Sequence, residues 1–233
     1  MKKPGITTPY GQALYDYFLN NPLHTLYLNN NYGPKEEMPI EVFFRDEEDF
    51  PELESYAMEI CYGSVLDIGA GVGSHALFLQ ERNMDVTALE IDPASTEIMR
   101  ARGVRQVVEK DIFKFEEKTF DTLLMMMNGL GLVGSVRGLA IFLNWVKKLI
   151  KPGGQLLFDS SDVAYVFEDV PFPEDRYYGE LKFQYEYNGK QGNWFPWLYI
   201  DQKLMLDVAK KSGWTGQVIY EDEFGQYLAK LVL

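Results

Sequence analysis

Length, composition and charge exclude several classes of protein. The 233 residues are 46% apolar and 24% charged, so the chain is long enough to bury a core without disulfide or metal staples. The formal net charge of −13 disfavours a general nucleic-acid-binding protein because it repels phosphate, and one Cys with two His exclude an internal disulfide and a zinc-type cluster.

The first 62 residues are predicted to form a helical cover. Their start carries charge but no apolar run, so a secretory signal is not expected, and we predict a cytoplasmic protein. Seven acids and no base lie between Asp46 and Glu59, while Leu53 and Ala57 fall on one helical face. This pattern favours a solvated helix face whose early acids complement the helix dipole.

From about residue 63 to 160, short apolar strands alternate with helices. Strands are predicted at 63–69, 84–91, 104–109, 121–127 and 155–159, and helices at 74–83, 93–102 and 140–150. Asp92 is expected to cap the second of these helices and Gly103 to end it. The alternation predicts a three-layer α/β fold with a doubly wound parallel sheet. The most apolar stretch, 122–134, is too short to span a bilayer, so no membrane partner is expected.

After residue 160 the alternation of strands and helices gives way to patterns that are typical of hairpins. Residues 181–187 alternate at period two and 194–200 can return as their partner, which predicts a β-hairpin insertion within 161–200 after the fifth strand. Residues 201–233 are predicted to form a helix capped by Asp201 and a hairpin that completes the sheet. We therefore expect a single domain consisting of a cover (1–62), a cofactor-binding core (63–160), the insertion and this C-terminal segment.

A glycine-rich turn follows the first core strand, in the sequence VLDIGAGVGS from Val65 to Ser74. Glycine allows a sharp turn and close approach of a ligand to the peptide groups. The dinucleotide fingerprint fails at Ser74, and no G-K-[ST] follows, so a Walker-type phosphate loop is excluded. Asp67 at the strand end suits a cationic ligand, and Glu90, 21 residues after Gly69, has the spacing of an acid that binds ribose hydroxyls.

The motifs VLDIGAGVG, ALEID, KDIF at 110–113 and LIKPGG at 149–154 resemble those of Rossmann-like, class I S-adenosylmethionine-dependent methyltransferases. The resemblance covers about residues 60–160 and includes the order of the motifs. It implies a seven-stranded sheet of order 3-2-1-4-5-7-6 in which strand 7 is antiparallel. The predicted C-terminal hairpin agrees with this order independently.

The resemblance also implies four groups of cofactor contacts, each following a core strand. They are methionine contacts from Asp67, Gly69, Ala70 and Gly71, ribose and adenine contacts from Glu90 and Ile91, adenine-edge contacts from Asp111 and Ile112, and closure of the pocket by Met127 and Asn128. Glu90 is preferred to Asp92 for the ribose because it ends the strand, whereas Asp92 is needed as a helix cap. No metal site is expected.

Methyl transfer in such enzymes is an in-line displacement, which positioning alone can accelerate strongly. The segment after the fourth strand lacks the Asn/Asp-Pro-Pro-aromatic signature of amino-group DNA methyltransferases, and no catalytic base is identified. His24 is expected to be structural or superficial, and His75 to face solvent in a first helical turn. Arg45 can bind the cofactor carboxylate or pair with its acidic neighbours, and residues 159–162 can contact substrate or cap the chain.

Aromatic side chains are concentrated where an acceptor is expected. Residues 165–199 hold 12 of the aromatics, which favours packing of the hairpin and an aromatic wall around the substrate. The preferred function is methyl transfer from S-adenosylmethionine to a small-molecule acceptor, with S-adenosylhomocysteine as product. A non-catalytic sensor of S-adenosyl ligands, a methyltransferase of macromolecules and a nicotinamide-dependent oxidoreductase are alternatives.

Overall fold

The computed structural model describes residues 8–21, 24–169 and 171–233. Its helices are α1 Pro9–Phe18, α2 Glu52–Glu59, α3 Ser74–Glu81, α4 Pro93–Arg102, α5 Val136–Val146 and α6 Gln202–Lys211. Its strands are β1 Tyr27–Asn30, β2 Glu36–Glu37, β3 Ser64–Ile68, β4 Asp85–Glu90, β5 Val107–Glu109, β6 Phe120–Met125, β7 Ile150–Ser161, β8 Glu180–Tyr187, β9 Lys190–Gln191, β10 Phe195–Leu198, β11 Thr215–Glu221 and β12 Gln226–Val232.

The main sheet has the predicted order. Its strands run β5-β4-β3-β6-β7-β12-β11, with β3 to β7 parallel and β12 antiparallel to both of its neighbours. This is the order 3-2-1-4-5-7-6 expected from the resemblance. All five residues of β3 are buried, as a central parallel strand covered by helices on both faces requires.

Local signals in the sequence fix the helix ends. The Asp92 carboxylate accepts a hydrogen bond from the backbone N–H of Ser95 at 2.8 Å, and Gly103 ends α4 with φ +98°. Asp201 caps α6 in the same way, accepting from the N–H of Leu204 at 2.9 Å. These three residues act as predicted.

A second, antiparallel sheet covers one part of the molecule. Its strands run β10-β8-β1-β2, and the pairing of β8 with β10 confirms the predicted insertion hairpin. The N-terminal cover is not wholly helical, because β1 pairs with β8 and β2 pairs with β1. Strand β1 has only four residues, so its conformation depends on the ladder supplied by β8 and carries little local signal.

Apolar side chains join the N-terminal segment and the second sheet, together called the cover from here on, to the core. One buried cluster contains Leu14 of α1, Val72 of the glycine-rich turn, Ile98 of α4 and Tyr187 of β8. Helix α1 packs against both α4 and β8, so the cover is seated beside the turn that follows β3. Within the described residues, none of the helices combines the length and hydropathy needed to cross a membrane.

Candidate functional site

The glycine-rich turn after β3 leaves its peptide groups accessible. Gly69 and Gly71 have φ of +74° and +54°. A Cβ added at Gly71 would meet no atom within 4 Å, and one at Gly69 would meet only Leu132 Cδ2, at 3.8 Å. Gly73 serves packing instead, since a Cβ there would lie 2.8 Å from Val104. The first two glycines, with Ala70 between them, therefore border space that a ligand can fill.

Asp67 presents a buried oxygen that needs a donor. The residue is 2% exposed at the end of β3, and its Oδ2 atom has no hydrogen-bond partner among the described residues. Burial raises the pKa of Asp67 to about 6, against the opposing charge of His75. Because a buried carboxylate oxygen is costly without a donor, this atom fits a ligand that carries an ammonium group or another donor.

Glu90 connects the glycine-rich turn to the end of β4. One carboxylate oxygen accepts from the N–H groups of Ile91 at 2.7 Å and Asp92 at 2.9 Å, and the other accepts from Gly71 at 2.9 Å. Burial raises its pKa, although these backbone hydrogen bonds oppose the shift. The oxygen bonded to Gly71 keeps acceptor capacity for a hydroxyl group. Beside it, the Ile91 side chain is 65% exposed.

Asp111 and Ile112 begin a short 3-10 turn after β5. The Asp111 carboxylate accepts from the N–H of Phe113 at 2.9 Å and fixes the start of this turn. The carbonyl of buried Ile112 accepts from the indole of Trp145 at 2.8 Å. These bonds hold the segment in place against helix α5.

The turn after β6 has a different construction. Met127 and Asn128 have φ of +61° and +53°, although neither is glycine. The N–H of Asn128 is held by both carboxylate oxygens of Asp159, each at 2.9 Å, and Gln226 donates to Asp159 at 2.7 Å. Asp159 is fully buried, and burial raises its pKa to about 6. From the sequence, residues 159–162 are expected only to contact substrate or to cap the chain, and nothing in the sequence points to Gln226.

The prediction that His75 faces solvent is wrong. Its ring is buried, and its Nε2 lies 2.8 Å from a carboxylate oxygen of Glu54, whose other oxygen pairs with Arg45 at 2.5 Å. Glu54 is therefore not part of a solvated acidic face, being 4% exposed. Arg45 takes the second of its two expected roles, pairing with an acidic neighbour. Because His75 and Glu54 are buried and Arg45 is half-buried beside them, each group compensates a charge that burial would penalise.

Aromatic residues of the cover lie close to the site. Tyr10 stacks on Tyr185 with ring centroids 4.7 Å apart, and Tyr185 stacks on Phe195 at 5.2 Å. Helix α1, which carries Tyr10, lies against the start of α4, since the Thr8 hydroxyl donates to Asp92 at 3.4 Å and a Cβ at Gly11 would lie 2.9 Å from Ala94.

The same cover also packs on the segment after β6. A Cβ at Gly131 would lie 2.0 Å from the Trp197 indole nitrogen, so this close approach requires glycine. His24 lies apart from these residues in an exposed position, with its ring edge-on to Tyr187 at 5.7 Å.

Comparison with known proteins identifies the family. A family model described as a methyltransferase domain matches residues 19–207. A crystal structure of an S-adenosylmethionine-dependent methyltransferase from Bacteroides fragilis, in complex with S-adenosylhomocysteine, is 36% identical with a TM-score of 0.90, over 99% of this chain and 96% of that one. The chain belongs to the S-adenosylmethionine-dependent methyltransferases. Membership confirms the predicted enzyme class, fold and cofactor.

More distant relatives of this methyltransferase share less of the chain or less identity. A demethylmenaquinone methyltransferase from Tropheryma whipplei is 32% identical over 99 residues, which are 40% of this chain and only 39% of the relative. A sugar N-methyltransferase from Streptoalloteichus shares the fold with a TM-score of 0.59 at 16% identity, over 86% of this chain and 96% of the other.

Proposed function

We propose that this methyltransferase binds S-adenosylmethionine across the carboxyl ends of β3, β4 and β6 and methylates a small molecule held beneath the cover. The methionine moiety lies against Asp67, Gly69, Ala70 and Gly71, the ribose on Glu90 and the adenine between Ile91 and the Asp111–Ile112 turn. Met127 and Asn128 close the pocket. When bound, the cofactor supplies an electrophilic methyl group on its sulfonium sulfur.

The residues present fit this cofactor. The unpartnered Asp67 oxygen supplies an acceptor for the amino group, and the accessible peptides at Gly69 and Gly71 allow close approach of the ligand. Glu90 has acceptor capacity for ribose hydroxyls, and exposed Ile91 offers an apolar surface of the kind that an adenine ring covers. These fits support the proposed cofactor contacts.

The position of the cover carries the proposal of a small acceptor. It approaches the site on two sides, since the Thr8 hydroxyl before α1 donates to Asp92 after β4 at 3.4 Å and the Trp197 indole packs on Gly131 after β6. Buried aromatic rings suit an acceptor that enters a shaped pocket. A sugar N-methyltransferase and an amino pentose methyltransferase adopt the same fold, so the fold accommodates small acceptors.

The proposed chemistry needs little beyond positioning. Holding donor and acceptor in line can supply about 7–11 kcal/mol of the barrier. The described residues therefore act by binding, by orienting and by excluding water beneath the aromatic cover. The acidic balance of the chain, with a net charge of −13, disfavours RNA as the acceptor.

Calorimetry with S-adenosylhomocysteine tests the cofactor contacts. Loss of a hydrogen bond to an ionised acceptor costs about 1.5–3 kcal/mol, so Glu90→Ala should weaken binding about 10–100-fold. Glu109, exposed at the paired position of β5, provides the control, and Glu109→Ala should bind as the wild type does. Unchanged affinity in Glu90→Ala would refute the ribose contact.

Transfer of an isotope-labelled methyl group tests the acceptor class. The enzyme is incubated with S-adenosylmethionine labelled in its methyl group and a cell extract separated by size. We expect label and S-adenosylhomocysteine to appear with the fraction of small molecules. Label confined to protein or RNA would overturn the proposed acceptor, and the absence of any transfer would favour a sensor.

A further inference from the structure

An arginine at the end of α4 reaches back to the glycine-rich turn. One nitrogen of the Arg102 guanidinium donates to the carbonyl of Val72 at 2.9 Å and to the hydroxyl of Ser74 at 3.2 Å. Only 13% of the Arg102 side chain is exposed, and the carboxylate of Asp46, which is itself largely exposed, lies 4.0 Å away. The closest polar contacts of this guanidinium are therefore charge-assisted hydrogen bonds to the turn.

The end of β4 holds the other polar groups of the turn. The N–H groups of residues 69–71 donate to the Leu89 carbonyl and to the Glu90 carboxylate, at 2.9 to 3.1 Å. These bonds all use donors of the turn. The Val72 carbonyl is an acceptor, and it receives its hydrogen bond from Arg102. The turn is thus held from two sides, by β4 through its N–H groups and by α4 through a carbonyl.

The composition of the turn makes such contacts necessary. Gly69, Gly71 and Gly73 all have positive φ, which glycine adopts freely, but glycine also leaves many other conformations accessible. Packing does not restrict the turn at Gly71, where the space around an added Cβ is open. Hydrogen bonds from neighbouring elements therefore narrow the turn to the conformation whose peptide groups face open space.

Ser74 joins the same contact to the cover. Its hydroxyl accepts from Arg102 and donates to the carbonyl of Phe43 at 3.0 Å. The guanidinium also lies over the ring of Phe44, 5.4 Å from its centroid, which is within the range of a cation–π contact. Ser74 is the position at which the dinucleotide fingerprint fails, and a glycine there would have no hydroxyl to connect these three parts of the chain.

We propose that Arg102, together with Ser74, is a positioning residue that holds the glycine-rich turn in the conformation that receives the methionine end of the cofactor. The inference rests on the proposed function through the contacts assigned to residues 69–71. Arg102 acts through the Val72 carbonyl and does not touch the cofactor. Because apparent affinity falls with the fraction of protein whose site is competent to bind, a looser turn weakens the cofactor although every contact residue is still present.

Two ligands separate this positioning from a general structural role. S-adenosylhomocysteine carries the amino-acid group of methionine, whereas 5′-methylthioadenosine lacks it. In calorimetry, Arg102→Gln should weaken S-adenosylhomocysteine about tenfold, the effect of losing a hydrogen bond to a charged group, while 5′-methylthioadenosine binds within about threefold of wild type. Arg102→Lys, which keeps the charge, should bind S-adenosylhomocysteine more tightly than Arg102→Gln does.

Arg100 provides the matched control on the same helix. Its side chain is 51% exposed and donates to the Thr96 hydroxyl at 3.3 Å, away from the turn. Arg100→Gln should bind both ligands as the wild type does. An equal loss of affinity in Arg100→Gln and Arg102→Gln would overturn the proposal.

The hydroxyl of Ser74 gives a second, smaller test. Ser74→Ala should weaken S-adenosylhomocysteine about threefold, whereas Ser74→Thr, which keeps the hydroxyl, should bind within about twofold of wild type. Because the two side chains share one hydrogen bond, the loss in Ser74→Ala combined with Arg102→Gln should be smaller than the product of the separate losses. Independent effects would contradict a joint role.

The outcomes distinguish the two proposals. If the wild type binds neither ligand, the proposed function fails. If the wild type binds S-adenosylhomocysteine and Arg102→Gln weakens both ligands equally, or neither, only the role of Arg102 fails. Should circular dichroism show that Arg102→Gln does not fold, the serine variants decide, and equal affinity of Ser74→Ala and wild type would then overturn the proposal.

Discussion

Two turns at the same edge of the main sheet reach left-handed backbone by different means. The turn after β3 uses Gly69 and Gly71, for which positive φ carries no steric cost. The turn after β6 places Met127 and Asn128 in the same region of φ, where an L side chain costs of the order of 1 kcal/mol per residue. A buried carboxylate, Asp159, grips the Asn128 N–H and stabilises this second turn.

The turn after β3 is specified by its own residues, whereas the turn after β6 is specified by residues that are distant in the chain. Glycine determines the conformation of the first turn locally and leaves open space over its peptide groups. The second keeps its side chains, and strained residues that surroundings hold in place are typical of sites where function requires the conformation. We infer that the first turn provides contact surface and the second a preset shape.

The largest expected effect tests the space over the first turn. Gly71→Ala adds a Cβ that meets no protein atom but enters the proposed cofactor volume. Overpacking costs about 1–3 kcal/mol, so we expect S-adenosylhomocysteine affinity, measured by calorimetry, to fall up to about 100-fold. Gly189→Ala, with φ +69° and equally open space, carries the same backbone strain elsewhere. Equal affinities of the two variants would contradict the assigned role.

The second-largest effect is expected from loss of the hydrogen bonds between Asp159 and the second turn. Asp159→Ala leaves the N–H of Asn128 and the amide of Gln226 without their acceptor. Each unsatisfied group costs about 1–3 kcal/mol, so urea unfolding should show a loss of about 2 kcal/mol, accompanied by a lower kcat. Asp159→Asn keeps one acceptor oxygen and should lose less than half as much. If Asp159→Ala is as stable and as active as the wild type, the turn does not depend on the hydrogen bonds to Asp159.

The pH dependence of stability tests whether Asp159, which holds the second turn, titrates near pH 6. The pKa of Asp159 is about 6 in the folded protein, above the value of about 3.9 in an unfolded chain. The stability that protonation of Asp159 contributes is therefore complete below about pH 4 and is lost as the pH rises through 6. We expect the free energy of unfolding to fall over this window by about 1–3 kcal/mol more in the wild type than in Asp159→Asn.

Asp121 supplies the control for that measurement. The hydrogen bond from Lys151 and those from Ser64 lower the pKa of Asp121 to about 2, so its contribution is lost only as the pH falls below about 4. Asp121→Asn should therefore leave the slope between pH 4 and 6 unchanged. If Asp159→Asn has the wild-type slope as well, Asp159 does not titrate in this window.

The smallest expected effect on stability comes from relaxing the second turn. Asn128→Gly removes the strain at φ +53° but adds backbone freedom to the unfolded chain, so stability should change by less than about 1 kcal/mol. Asn188→Gly, at φ +50° in the hairpin between β8 and β9, should change stability equally. Only Asn128→Gly should lower kcat, and equal activity of both variants would show that the side chain is dispensable.

The parts of the fold with local signals were predictable. Asp92, Gly103 and Asp201 mark helix ends through their own chemistry, and the apolar runs and motif order gave the sheet. Strand β1 was not predictable, since its partner β8 lies more than 150 residues away along the chain, and β2 has only two residues and pairs with β1. The pairing of His75 with Glu54 was missed for a different reason, because seven acids without a base between Asp46 and Glu59 resemble a solvated face.

The candidate site also contains residues that the sequence predicts and residues that it does not. The glycine-rich turn and Glu90 were identified from spacing, and the structure places them in hydrogen-bond contact at 2.9 Å. Asp159 was one of several polar residues after a strand, and its hold on Asn128 depends on residues 31 positions apart meeting across the sheet edge. Gln226, on the last strand, gave no signal because its role exists only in the assembled sheet.

The pairing of Leu28 with Tyr185 has a consequence for biosynthesis. At 5–20 residues per second, roughly 8–30 s separate the emergence of these two residues from the ribosome. During that interval the edge of β1 that pairs with β8 stays unpaired, while β3 to β7 emerge one after another. The glycine-rich turn therefore emerges from the ribosome before the sheet formed by β1 and β8 can close beside it.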